Sequence, residues 1–319
     1  MGTVTLKKVA EMANVSVSTA SKALKNSFDV SEETRKIVLA AAEKCGYFGE
    51  KKRISAENRK SSELTVAAVC PEVISPFYSA IIETLTAAAD KLCYNVVIYN
   101  ASFDEKRYLK TLISCFENTK IDAVINLSSF GRDIDFGKTP HIIFSNEHPF
   151  GSAVLTSYEN AFSLIKQAHP DWKKVCFASE KLTSGKEKAF CKVFRACEVL
   201  VGEGRFEDAG KSVAQSLMRG DLPDAVVCAY DEIAFGLIDC LQKMGVSVPR
   251  DIEVVGINNV SASQWAFGGV STIGFNHGEI FGEILADIAA DIKAKSITNR
   301  EYVITPRFIE RNTTKKPII

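Results

Sequence analysis

The 319-residue chain has no formal net charge and only four histidines, His141, His148, His169 and His277. None stands at a metal-ligand spacing or beside a Gly-x-Ser-x-Gly elbow, which argues against a zinc site or a serine hydrolase. A Walker-type phosphate loop with its full spacing is absent. Gly202-Glu203-Gly204-Arg205-Phe206-Glu207 begins like a dinucleotide fingerprint but ends on Glu, so a plain turn is expected there. No apolar run reaches the roughly 18 residues of a membrane span, and the first residues show no charged-then-apolar leader. A cytoplasmic protein with no membrane partner is therefore expected. The nine cysteines are odd in number, include no Cys-x-x-Cys pair and sit mostly in apolar runs such as Val69-Cys70 and Val227-Cys228. Buried free thiols are expected, not disulfides or metal ligands. The sequence thus offers no metal site, no cofactor and no catalytic residue.

What is present is unevenly spread. Residues 1–60 hold 12 Lys/Arg against 7 Asp/Glu, a net +5 that the rest of the chain cancels. Local positive charge is what a phosphate backbone attracts. The length suits a small domain plus a larger, divided one, and 46% hydrophobic residues suffice to bury both.

The small domain is legible residue by residue. Leu6, Val9, Ala10 and Ala13 fall at helical spacing behind Thr5, a capping residue type, and the helix should stop at Asn14, which tolerates a left-handed backbone. Ser16 can cap a second helix with Ala20, Ala23 and Leu24 inside and Val17, Ser18, Ser21, Lys22 and Lys25 outside. Ser31 can cap a third, with Ile37, Val38, Ala41 and Ala42 on its core face. A short, polar, basic outer face on the second helix suits a DNA groove.

The run Val9-Ala10-Glu11-Met12-Ala13-Asn14-Val15-Ser16-Val17-Ser18-Thr19-Ala20-Ser21-Lys22-Ala23-Leu24 closely resembles the N-terminal signature of the lactose-repressor (LacI/GalR) family of bacterial transcription regulators. Val30-Ser31-Glu32-Glu33-Thr34-Arg35 and Gly46-Tyr47 continue it. The resemblance implies an all-α helix-turn-helix headpiece (1–48), a hinge (49–63) and an α/β periplasmic-binding-protein-like core of two doubly wound parallel-sheet lobes (64–319). It implies double-stranded operator DNA as a partner, bound by a homodimer or a tetramer built from it. Repression is the commoner outcome in this family. In the same register Val17, Ser18 and Lys22 face base edges, while Thr5, Ser16, Thr19, Ser21, Thr34 and Tyr47 hold phosphates.

The hinge departs from the family pattern. Arg53, Ile54 and Ala56 occupy it, and Ala56 stands where a leucine usually wedges the minor groove; alanine brings little bulk to that task. A ligand-binding protein with weakened operator binding is the alternative reading that this departure supports.

From Leu64 onward, apolar runs alternate with amphipathic stretches, the sign of parallel sheets covered on both faces. The expected first lobe takes residues 64–148 and 270–295, the second 152–260 and 302–312. Within the second, residues 185–198 are expected as one helix. Ser75-Pro76-Phe77-Tyr78, the stretch from Gly245 to Gly256 and Ile309-Glu310-Arg311-Asn312-Thr313 extend the resemblance through the core. It implies a sugar-like or nucleoside-like effector between the lobes, surrounded by Phe77, Tyr78, Glu159, Lys186, Phe206, Tyr230, Asp231 and Asn258. Lys186 replaces a usual arginine and Asn258 a usual aspartate. A small polar ligand, a modified or anionic sugar or a nucleoside, with Lys186 supplying charge, is the resulting expectation.

Overall fold

The computed structural model describes residues 5–24, 30–45, 64–182, 185–195 and 197–315. The chain divides into two compact units, Met1–Ser62 and Glu63–Ile319. Tyr47, Arg53, Ile54 and Ala56 lie outside the described residues.

The first unit holds α1 (Leu6–Met12), α2 (Val17–Leu24) and α3 (Glu32–Cys45). Its buried residues are small: Ala10, Ala13, Ala20, Ala23, Ala41 and Ala42 around Val9, Val30 and Val38. With so little side chain between them, short helices can approach closely and still exclude water. Asn14 takes the left-handed turn residue, φ 51°, and Ser16 Oγ accepts from the Thr19 amide at 3.0 Å to cap α2. Ser31 Oγ does the same for the Thr34 amide at 3.2 Å. Two expectations fail here. The Thr5 side chain makes no capping bond, and Ile37 is 51% exposed because the core-facing stripe of α3 runs through Val38, Ala41 and Ala42, one position further round.

The second unit contains two six-stranded sheets. The first joins β1 (Thr65–Cys70), β2 (Asn95–Asn100), β3 (Ala123–Asn126), β4 (His141–Ile143), β5 (Ser152–Thr156) and β11 (Glu301–Ile304), all parallel, in the order β11-β5-β4-β3-β1-β2. The second joins β6 (Val175–Glu180), β7 (Cys197–Gly202), β8 (Ala225–Cys228), β9 (Glu253–Ile257), β10 (Ser271–Phe275) and an antiparallel edge strand β12 (Pro306–Ile309), in the order β12-β10-β9-β8-β6-β7. Seven helices cover them: α4 (Pro76–Lys91), α5 (Glu105–Glu117), α6 (Tyr158–Ala168), α7 (Lys186–Val193), α8 (Glu207–Leu217), α9 (Asp231–Lys243) and α10 (Gly278–Ala294). Strand alternation explains the layering. Val66, Ala68 and Cys70 of β1 pack with α4 and α10 through Ile81, Leu85 and Phe281, while Ala67 and Val69 meet Tyr108 and Leu112 of α5.

Lobe membership differs from the sequence expectation. β10 pairs with β9 (Ser271↔Val255) and so belongs to the second lobe, whereas β11 pairs with β5 (Glu301↔Ala153) and belongs to the first. β5 likewise joins the first lobe. The chain crosses between lobes after β5, β10 and β11, at strand ends, and an apolar strand carries no local mark of the sheet it will join. The expected 185–198 helix stops at Val193, and Cys197 and Glu198 open β7 instead.

All nine cysteines are free, as expected, with Cys70, Cys115, Cys176 and Cys228 buried, while Cys93 and Cys191 are exposed and depart from the expected burial. No helix among the described residues is long and apolar enough to cross a membrane. Phe281→Ala, which removes a fully buried ring from the first lobe, should cost about 3–5 kcal/mol in urea unfolding. Ile37→Ala should change stability by less than about 0.5 kcal/mol in the same assay.

Candidate ligand cleft and DNA-facing helix

Helical periodicity sets the outward face of α2. Ala20 and Ala23 are buried, so Val17, Ser18 and Lys22 stand exposed, Val17 at 45%. Thr5 and Ser16 are exposed; Thr19, Ser21 and Thr34 are half-buried. Three of these hydroxyls are already paired: Thr19 and Ser16 with each other at 2.8 Å, and Thr34 with Ser31 at 2.9 Å.

In the second unit a cavity lies between the lobes, at the carboxyl ends of β1, β6, β8 and β9, and takes in about 560 Å³ including its open mouth. Doubly wound sheets characteristically open their binding crevice there. Phe77, Tyr78, Lys186, Phe206, Tyr230 and Asn258, six of the eight residues singled out from the sequence, line it. Glu159 and Asp231 do not. Glu159 is on the first turn of α6, half exposed, paired with Lys192. Asp231 is fully buried behind the cleft, where it accepts from the Val260 amide at 2.7 Å and Thr272 Oγ1 at 2.5 Å. Burial pushes its carboxyl up to about 6, against Thr272, Val260, Arg311 and Lys186, which hold it down.

Glu72, Ser75, Phe103, Tyr158, Leu182, Arg205 and Glu232 complete the lining, and none was singled out from the sequence. Arg205 is the central member. Its Nη1 and Nη2 each reach a Glu72 oxygen at 3.0 Å, and its Nε reaches Glu180 Oε1 at 3.1 Å. Glu72 follows β1 of the first lobe and Glu180 ends β6 of the second, so this fork ties the lobes together. Its guanidinium also lies 4.4 Å from the Phe206 ring centroid and 5.3 Å from that of Phe103. Burial works against the charge, but the two carboxylates outweigh it and hold the group above its ordinary value.

The glycine pair that resembles a dinucleotide fingerprint serves this arrangement. A Cβ on Gly202 would lie 2.2 Å from the Ala209 carbonyl oxygen, so only glycine lets β7 run this close to α8. The turn then delivers Arg205 and Phe206 to the cleft, with Phe206 at φ 53° and its amide donating to Glu180 Oε2 at 2.8 Å. That conformation is strained for a non-glycine residue, and the buried Glu180 carboxylate is what fixes it.

Lys186, at the start of α7, is buried. Its Nζ donates to the Ala229 carbonyl at 2.7 Å and stands 4.3 Å from the Tyr230 ring centroid and 5.3 Å from that of Tyr158. Burial lowers it to about 7, against the pull of Glu232, Asp231 and Glu180. It therefore does not stand as a free cation awaiting an anion, as the sequence suggested. Asn258 adopts φ 109° and its neighbour Asn259 φ 50°, backbone that asparagine tolerates better than most residues. Arg311 fixes that loop by donating to Asn259 Oδ1 and the Val270 carbonyl, both at 2.7 Å.

The description of bacterial regulatory proteins of the lacI family matches residues 5–49, and that of the periplasmic binding protein-like domain matches residues 176–314. The chain carries a lacI-family helix-turn-helix domain followed by a periplasmic binding protein-like domain. Among similar proteins, the HTH-type transcriptional repressor CytR of Escherichia coli (strain K12) is 26% identical over 289 residues, covering 84% of each chain. A structure of the lac repressor dimer bound to operator and an anti-inducer superposes with a TM-score of 0.68 at 18% identity, covering 98% of this chain and 99% of that one. A lacI-family regulator from Enterococcus faecium with bound ribose gives a TM-score of 0.67 at 17% identity, over 79% of this chain and 99% of that one.

Neither of the two Gly-Lys-Ser/Thr triplets that the sequence contains has the spacing of a nucleotide phosphate loop. Gly137-Lys138-Thr139 has Arg132 where the first Walker glycine would stand, and Gly210-Lys211-Ser212 lies inside α8. Gly210 there packs against the Ile233 carbonyl, which a Cβ would approach to 2.1 Å.

Two opposed pH effects follow from the cleft. Burial raises the Glu232 carboxyl to about 7, with its own amide and Lys186 opposing. A raised carboxyl binds more protons when folded, so its stability contribution is full below its ordinary 4.5 and is lost as pH rises towards 7. A lowered amine binds fewer, so the Lys186 contribution is full above 10.5 and is lost as pH falls towards 7. In urea unfolding, Glu232→Gln should flatten the decline between these lower limits, and Lys186→Met should flatten the recovery above neutrality. Unchanged pH profiles would show that neither group is desolvated as described.

Proposed function

We propose that this lacI-family chain is a ligand-responsive repressor that binds palindromic operator DNA as a homodimer and takes a small polar ligand between its lobes. The observation that carries the reading is the exposed face of α2, held outward by buried Ala20 and Ala23. Lys22 offers a donor to guanine, Val17 an apolar contact to a thymine methyl, and Ser18 a hydroxyl to several bases. Thr5, Ser16, Thr19, Ser21, Thr34 and Tyr47 set register on the phosphates; Thr19 and Thr34 exchange their present serine partners for the backbone. One such helix reads a half-site, and two-fold symmetry doubles it onto a palindrome.

Relatives support both halves of the reading. CytR is named a repressor, the lac repressor was captured as a dimer on operator, and the Enterococcus faecium regulator holds ribose. These relatives are transcription regulators, which supports a non-catalytic role. A ligand that bridges the lobes stabilises the lobe spacing it fits, and operator affinity changes by the free energy that couples the two sites. Aromatic faces from Phe77 and Phe206 supply stacking surfaces for such a ligand.

Selection of random-sequence duplexes on the full-length protein should enrich a palindrome. Against the selected operator, Lys22→Ala should cost about 1–3 kcal/mol while binding to unrelated DNA hardly changes. Equal losses on both DNAs would remove Lys22 from base reading. Failure to enrich any palindrome would favour a ligand-binding protein whose Ala56 hinge has weakened operator contact.

A further inference from the structure

Every charged group on the cleft wall except one has its partners within the protein. Both Glu72 oxygens accept from Arg205. Glu180 accepts from Arg205 and from the Phe206 amide. Lys186 donates to the Ala229 carbonyl and lies against two tyrosine faces. Glu232 is different. It lines the cleft and is only 5% exposed, yet neither carboxylate oxygen accepts a hydrogen bond from another of the described residues.

A carboxylate placed so far out of water without donors is costly, and proteins seldom hold one without something that compensates it. α9 gives it no helix-packing role that would explain the choice, because the neighbouring Ile233, Ala234 and Leu237 do the packing. The charges around it point the same way. The charges lining the cleft balance when ionised, Glu72 and Glu232 against Arg205 and Lys186, and the buried Glu180 behind Arg205 leaves one negative charge in excess. A ligand phosphate or carboxylate would add to that excess.

We infer that the cleft ligand is a ring compound bearing an amino group, with its ring against the aromatic wall and its N–H donors on the Glu232 carboxylate. The inference rests on the cleft being the effector site, as proposed above, and narrows the ligand class within it. A hydroxyl would give Glu232 one neutral donor. An amino group gives two or three, and when protonated it also cancels the excess charge, in bonds that are shorter and roughly twice as strong. Phe77, Phe103 and Phe206 provide the ring surface, and the aromatic setting favours a cation over an anion. The source of the ring is left to the test: an amino sugar and an aminated nucleoside share this chemistry.

The experiment is calorimetric titration of the full-length protein with two matched pairs, D-glucosamine against D-glucose and adenosine against inosine, each pair differing at one position in nitrogen or oxygen. In at least one pair the amino member should bind about tenfold tighter or more. Glu232→Gln should bring that pair to near-equal affinity, and Glu232→Asp should restore part of the preference. Because Glu232 accepts no hydrogen bond from another described residue and its burial disfavours the charge, the glutamine variant should melt no lower than the wild type at pH 8, which separates lost recognition from lost folding. Equal binding within both pairs, a preference that survives Glu232→Gln, or no binding by any of the four compounds overturns the inference. Binding that is unaffected by Phe206→Ala would instead place the ligand outside the cleft and overturn the effector-site reading itself. The operator selection decides the DNA-binding half independently.

Discussion

Arg205 is held by carboxylates from both lobes, and much of the cleft depends on that one guanidinium. Its planar fork satisfies both oxygens of Glu72 from across the gap while its Nε keeps Glu180 of its own lobe. A lysine could not make this bridge, since a point charge lacks the paired donors. The same Glu180 fixes the Phe206 backbone in its strained conformation, so lobe spacing and the position of an aromatic wall residue share a single buried carboxylate. Removing Glu180 would leave Arg205 under-compensated and Phe206 without the bond that holds it, and the two faults would not be additive.

Behind the cleft, a second polar assembly keeps its wall rigid. Asp231 accepts from Val260 and Thr272, Arg311 holds Asn259 and the Val270 carbonyl, and Thr313 Oγ1 donates to the Val254 carbonyl at 2.7 Å. The phrase Ile309-Glu310-Arg311-Asn312-Thr313 thus does structural work, closing the loop that carries Asn258. Satisfied buried networks of this kind resist deformation, because a partial opening exposes several groups at once to an unfavourable medium. Against that rigid setting, a single unsatisfied carboxylate such as Glu232 is conspicuous.

The headpiece solves a different problem. Three short helices cannot bury much surface, so the unit uses alanines at the contacts and serine caps at the starts of α2 and α3. Serine hydroxyls that cap the helices also bind Thr19 and Thr34, which keeps those two side chains ordered.

The sequence by itself determined the local features. Spacing of Val9, Ala10, Ala13, Ala20 and Ala23, the cap at Ser16 and the turn at Asn14 all act within a few residues, so their outcome is readable from neighbours alone. The alternation of apolar runs and amphipathic helices likewise gave the sheet class, and the family signature brought six of the eight expected cleft residues to the cavity. Tertiary structure decided what depends on distant partners. β10 and β11 are ordinary apolar strands, and only pairing with β9 and β5 assigns each to its sheet. Ile37 turns outward because the rotation of α3 about its axis is set by packing against α1 and α2. Glu72 and Arg205 lie 133 positions apart, and no local pattern announces their pairing. Lys186 reads as a free cation in sequence, but burial between Tyr158 and Tyr230 spends its donor and depresses its charge. Burial and long-range pairing are properties of the folded neighbourhood, and they settled which charges in this cleft remain available to a ligand.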